Sequence, residues 1–231
     1  MNTIIIREDG TRHAGCDESS GWVWYAARQL ELALVTVVED LESRLLSTSP
    51  CGTETGPTDM KRNATILELG SGTGWLSLQL ALRGATVTAT ERSGAMSLLT
   101  RNIMSNQERI DNLNVCVEEL EWSSDLRLEG QWDLFVGSDL IYIHENNLPL
   151  LRTLLRHDCQ FCVLSWEERK PKEEANFILL ARQNNFHIDS LVQIGTNPAT
   201  GNIVWLLCMS YQKPCATMAD DERHGFNIVT V

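Results

Sequence analysis

The sequence predicts one α/β domain on a seven-stranded sheet, five strands coming from βα units and two from a terminal antiparallel hairpin. Three observations carry that reading. Strand-like and helix-like stretches alternate from Thr65 onward, a glycine turn follows the first strand, and the last two apolar runs have no helix between them. The chain of 231 residues suits one large domain, able to bury most of its unfolded surface without a disulfide framework. Its 43% hydrophobic and 22% charged content matches a folded protein rather than a disordered one.

Residues 1–20 read as an N-terminal segment, 21–213 as the domain and 214–231 as a polar tail. From Gly21 to Leu46 the residues Trp24, Ala27, Leu30, Leu34, Val37, Val38, Leu41 and Leu45 recur at steps of three and four, so a long amphipathic helix opens the domain. Residues 47–63 collect Ser, Thr, Pro and Gly, the composition of a surface loop inserted into the domain. Strand-like runs follow at Thr65–Leu69, Ala85–Thr90, Leu113–Val117, Trp132–Val136 and Phe161–Ser165. The stretches between and after them, Trp75–Arg83, Ser93–Asn106, Asn146–Arg156 and Glu173–Asn184, have helical periodicity. Strand and helix taking turns implies a parallel sheet covered on both faces. Phe186–Ile194 and Ile203–Tyr211 are joined by a turn-rich segment around Asn197-Pro198, which makes them a hairpin.

Nineteen Lys and Arg against thirty-one Asp and Glu give a net charge of −12, which argues against a nucleic-acid partner. The longest apolar run, Ile203 to Met209, is too short to span a bilayer, so no membrane partner is expected. Three isoleucines precede Arg7, Glu8 and Asp9, the reverse of the charge order in a secretory signal. Seven scattered cysteines, an odd number, suit a reducing compartment, cytoplasmic or also nuclear. Cys159 and Cys162 form a C-x-x-C that runs into an apolar strand, with no second pair at zinc-ribbon spacing. They read as core thiols, and no metal is expected.

The sharpest local signal is Ile66-Leu67-Glu68-Leu69-Gly70-Ser71-Gly72-Thr73-Gly74-Trp75, a buried strand, a glycine turn and a helix start. Open parallel sheets bind ligands at the carboxyl ends of their strands, so a nucleotide-like cofactor belongs here. A dinucleotide fingerprint would place its third glycine at position 75, where Trp75 stands. Glu68 lies just ahead of the turn; its carboxylate repels a pyrophosphate and favours a cationic amino-acid cofactor. The next strand ends at Thr90-Glu91, and a carboxylate at that tip can accept hydrogen bonds from both hydroxyls of a ribose.

With these residues in view, the sequence resembles the seven-strand S-adenosylmethionine-dependent methyltransferases, and among them the family-16 protein-lysine methyltransferases of the methyltransferase-like 21 type. The resemblance covers roughly Gly21 to Tyr211. Besides the glycine turn it rests on Gly21-Trp22-Val23-Trp24-Tyr25-Ala26-Ala27, Leu120-Glu121-Trp122 and Gly137-Ser138-Asp139-Leu140-Ile141-Tyr142. It implies a Rossmann-like class I fold with strand order 3-2-1-4-5-7-6, S-adenosyl-L-methionine as cofactor and methyl transfer to a lysine of another protein. It further implies that Trp24, Glu68, Gly70, Ser71, Gly72, Gly74, Glu91, Trp122 and Ser138 hold the cofactor, with Trp122 on the adenine and Glu91 on the ribose. Asp139 and Tyr142, matching the family's D-x-x-Y motif, become the catalytic pair. A substrate with a basic patch and a monomeric enzyme are expected. The alternatives are N-methylation of a small-molecule amine, a protein terminus or a histidine, and a catalytically silent cofactor-binding module.

The chemistry of the D-x-x-Y pair can be argued directly. A lysine of pKa about 10.4 is neutral in only about one molecule in 2,500 at pH 7, and methyl transfer needs the free lone pair. Asp139 can capture and align the ammonium, yet a carboxylate alone raises the amine's pKa. The sulfonium and burial must oppose it. Tyr142 then supplies a wall or a hydrogen bond for the amine channel.

Two features depart from the family pattern. Tyr25 stands where Asp usually follows the Val-Trp pair, and the insertion at 47–63 is longer than the usual connection. Glu167-Glu168-Arg169 after the fifth strand falls where the family often has charged substrate-side residues, but a solvated charge run is the preferred reading. Asn102 and Asn106 on the second helix of the βα units are explained by capping and packing.

Overall fold

The computed structural model describes residues 3–8, 23–34 and 64–212. The later part of the expected opening helix, the insertion at 47–63 and the tail at 214–231 lie outside the described residues. The seven strands are β1 (Thr65–Leu69), β2 (Thr86–Glu91), β3 (Val115–Glu119), β4 (Leu134–Ser138), β5 (Phe161–Glu167), β6 (Phe186–Thr196) and β7 (Ile203–Tyr211). They form a single sheet in the order β3-β2-β1-β4-β5-β7-β6, as the resemblance implies. The first five pair in parallel, and β7 runs antiparallel between β5 and β6. The helices are α1, helical over 25–34, then α2 (Trp75–Leu82), α3 (Met96–Gln107), α4 (His144–Arg156) and α5 (Pro171–Gln183).

Period-two alternation along the strands sends successive side chains to opposite faces. Ile66, Leu134, Val136, Val163 and Leu206 face α1, α2 and α3, meeting Leu30, Leu34, Leu76, Leu99 and Ile103. Leu67, Phe135, Leu164 and Leu207 face α4 and α5, meeting Leu150, Leu154 and Phe177. Both faces are covered, which is why the central strands are apolar throughout.

Element ends are set by local chemistry. The Asp133 carboxylate accepts hydrogen bonds from the backbone and hydroxyl of Thr65 at 2.8 and 2.9 Å, so β4 starts at Leu134 rather than at Trp132. β5 runs two residues past its expected end because Trp166 and Glu167 still pair with Trp205 and Val204 on β7. α5 begins at Pro171, whose fixed φ suits a first helical turn. Cys159 and Cys162 are buried free thiols beside Leu164 and Phe177.

Residues 3–8 lie along α3. The Asn106 side chain accepts from the Ile5 N–H at 2.9 Å and donates to the Ile5 carbonyl at 2.7 Å. One turn earlier, Asn102 binds the Arg7 N–H and carbonyl at 3.1 and 3.0 Å, and also donates to the Thr73 carbonyl at 2.9 Å. Two asparagines four apart thus read alternate residues of an extended segment as a strand would, and capping plays no part.

Candidate active site

Sheet order reverses between β1 and β4, and the loops leaving these two strands diverge to open a crevice at their carboxyl ends. A cavity of about 360 Å³ occupies it, of the size that takes a small molecule. Trp24, Glu68, Gly70, Ser71, Gly72, Glu91, Trp122, Ser138, Asp139 and Tyr142 all line it. Of the residues expected at the site, only Gly74 is absent from the lining. Gly74 turns toward α3 instead. At φ 78° it is the N-cap of α2, and a Cβ there would fall 2.8 Å from Leu99 and 2.9 Å from Ile103. Its role in the turn is conformation and close packing.

Gly70, at φ 61°, makes the cavity floor: a Cβ would fall 2.7 Å from Leu140 and 3.6 Å from Trp122. Ser71 fastens the turn to β2, donating its N–H to the Thr90 carbonyl at 2.8 Å and accepting the Thr90 N–H on its hydroxyl at 3.1 Å. Glu91, at the tip of β2, accepts the Gly72 N–H on one carboxylate oxygen at 2.9 Å and the Arg92 N–H on the other at 3.0 Å. The turn and the acid therefore move as one unit.

Glu68 shares the sheet face of Ile66 and lies beneath α2, 3% exposed, with the Ser77 hydroxyl donating to its carboxylate. Burial pushes its pKa up to about 7, against the opposing Ser77 and Ser71 hydrogen bonds and with help from the Glu91 charge. At neutral pH it is balanced between a charge and a neutral donor.

Asp139 follows β4 in the left-handed backbone region at φ 56°, uncommon for a residue with a side chain and costing about 1–3 kcal/mol. Its N–H donates to the Ser165 carbonyl at 2.8 Å, which holds the turn against β5. The carboxylate is asymmetric. Oδ1 accepts the Glu167 N–H at 3.0 Å and an Arg169 N–H at 2.6 Å, while Oδ2 is buried without a hydrogen-bond partner. Burial pushes the pKa to about 6, with the Arg169 charge and the Glu167 N–H pulling it down and the Glu167 charge adding to the rise.

Glu167-Glu168-Arg169 is solvated only toward its end, with Glu167 buried, Glu168 half-buried and Arg169 exposed. Glu167 is buried and accepts hydrogen bonds from Asn197, Thr200 and Asn202 of the β6–β7 turn at 2.8, 2.7 and 2.9 Å. Burial alone would raise its pKa, but these three donors together with the Arg169 charge outweigh it and the net movement is downward. Glu168 accepts the Trp205 indole N–H at 2.8 Å. The Arg169 guanidinium sits 4.9 Å from the Trp24 ring centre and ion-pairs with Asp139, so it joins the α1 side of the cavity to the β4 side. The overlooked signal is Trp166: a strand long enough to bury it carries its next residue, Glu167, into the interior.

The fold and the position of this site define a class: a class I methyltransferase fold with its crevice at the topological switch point. Solved structures share it. The methyltransferase domain of bacterial CtHen1-C superposes with TM-score 0.56 at 15% identity, covering 81% of this chain and 100% of that one. Magnesium protoporphyrin IX methyltransferase of Synechocystis PCC 6803 with bound SAM gives 0.50 at 17%, covering 83% and 86%. The chain belongs to the lysine methyltransferase family, whose sequence profile matches residues 2–184.

Among curated relatives, protein N-lysine methyltransferase METTL21A of Danio rerio is 40% identical over 103 residues, 44% of this chain and 47% of the relative. EEF1A lysine methyltransferase 3 of Mus musculus is 35% identical over 99 residues, 42% of this chain and 41% of the relative. The matches span about half the length of these relatives.

Proposed function

We propose that this chain transfers a methyl group from S-adenosylmethionine to the side-chain amine of a lysine in another protein. One observation carries the reading. A buried carboxylate with an unpartnered oxygen lines the same cavity as the glycine turn and the strand-tip acid Glu91.

The residues fit an adenosyl sulfonium. Gly70 leaves the floor open where a side chain would collide, Glu91 offers a carboxylate at the tip of β2 on the cavity lining, and Trp122 presents an apolar ring beside Gly70. When bound, the cofactor supplies an activated methyl group on a positively charged sulfur. The protein supplies capture and alignment. Oδ2 of Asp139 receives the incoming ammonium, the Ser165 carbonyl holds the Asp139 backbone N–H while the Glu167 N–H holds Oδ1, and Tyr142 walls the approach. Fixing the amine in one direction is worth more here than general base strength. The family membership and the names of the relatives support lysine as the acceptor. Free thiols at Cys116, Cys159 and Cys162 suit a reducing, cytoplasmic setting, and among the described residues no helix is long and apolar enough to cross a membrane.

Incubation with methyl-labelled cofactor and a cell extract tests the proposal. Wild type is expected to label a protein band at lysine, and Asp139→Asn, which tolerates the same backbone conformation, to lose that label while binding cofactor normally by calorimetry. Label in the metabolite fraction instead would mark a small-molecule enzyme, label on histidine or a protein terminus a different acceptor, and no label despite binding a silent module. Each of these outcomes overturns the lysine reading.

A further inference from the structure

We propose that Arg169 is a positioning residue: it compensates the Asp139 charge on Oδ1, so that Oδ2 aligns the substrate amine without keeping that amine protonated. The inference rests on the lysine-methylation reading above.

The difficulty it answers is electrostatic. A lone carboxylate beside a lysine stabilises the ammonium, the form that cannot react. In this site the carboxylate is not alone. Arg169 donates to Oδ1 at 2.6 Å, while Oδ2 is buried without a hydrogen-bond partner in a residue that lines the cavity. The pair is close to neutral as a unit, and the guanidinium adds a positive charge that disfavours a second cation nearby.

Arg169 is held at its ring contact and at its backbone, while its side chain keeps 29% of its surface exposed. Trp24 lies against the guanidinium at 4.9 Å, and Glu174 on α5 accepts the backbone N–H of Arg169 and of Lys170, both at 2.9 Å. The other charged neighbours are already engaged. Glu167 on β5 is held by the β6–β7 turn, Glu174 by the Arg169 backbone, and Glu68 by Ser77. Glu91 and Arg92, at the end of β2, and Glu121, just after β3, line the cavity with Tyr142. Arg169 is thus the cation in contact with the Asp139 carboxylate among the described residues.

The test compares wild type, Arg169→Met and Arg169→Lys in the full chain, with two readouts. The first is the pH dependence of the saturated rate of methyl incorporation into lysine of extract protein, whose rising limb reports the bound amine. Arg169→Met should move its midpoint up by about one pH unit, and Arg169→Lys should return it toward wild type. The second needs no substrate: titration of ¹³C-labelled aspartate carboxyls, with Asp139→Asn assigning the signal. Arg169→Met should raise the Asp139 midpoint above about 6. If Arg169→Met fails to fold, Arg169→Gln replaces it. Reduced rate with both midpoints unmoved would make Arg169 only a prop for Trp24 and overturn the inference. If wild type labels no lysine, the proposed reaction falls and this inference with it, even where the carboxyl titration still shows the pairing.

Discussion

Glu68 places an ionisable group at the bottom of the cavity, and its environment gives pH-dependent stability of a definite sign. Its folded-state pKa of about 7 lies above the ordinary 4.5, so the stability it contributes is fully present below about pH 4.5 and is lost as pH rises through about 7. Glu68→Gln should remove that loss. Chemical denaturation from pH 4.5 to 8 should show wild type falling relative to the variant by roughly 3 kcal/mol, and parallel curves would contradict the assignment. Glu68 and Gly70 were visible in the sequence because the glycine turn sets their spacing. The pairing of Arg169 with Asp139 was not, because the two lie thirty positions apart and meet only through the β4–β5 pairing. Gly74 belonged to the motif, but its packing against Leu99 and Ile103 could be seen only once α3 was placed.

At the scale of elements, the asparagine clamp ties an extended segment to a helix through four backbone hydrogen bonds. Asn106→Ala removes the two at Ile5 and should cost about 1–3 kcal/mol. Amide exchange should quicken at Ile5 and, through the loosened segment, at Arg7; unchanged protection at both would show that Ile4 and Ile6 suffice to hold it. Alternation and helical spacing revealed every strand and helix among residues 64–212 before any coordinates. Their ends were less legible. β4 starts where Asp133 binds Thr65, and β5 ends where β7 stops pairing, both decided by neighbours remote in sequence.

For the whole molecule, the net charge of −12 predicts faster encounter with a basic protein surface than with a neutral one. Raising salt from about 50 to about 500 mM should lower kcat/KM several-fold toward a basic protein substrate while leaving kcat nearly unchanged. A salt-independent kcat/KM would show that charge does not steer the encounter. The strand order came from the family resemblance, since periodicity identifies strands but does not rank them across a sheet.

β7 lies between β5 and β6, although it is the last strand in the chain, and Glu167 depends on the turn that precedes it. A ribosome delivering this polypeptide releases the glycine turn and Glu91 well before the clasp beside Asp139. The anchoring of Glu167 must therefore wait for the closing hairpin to emerge, so a prematurely terminated product ending before residue 203 would be born with that wall of the cavity unfinished.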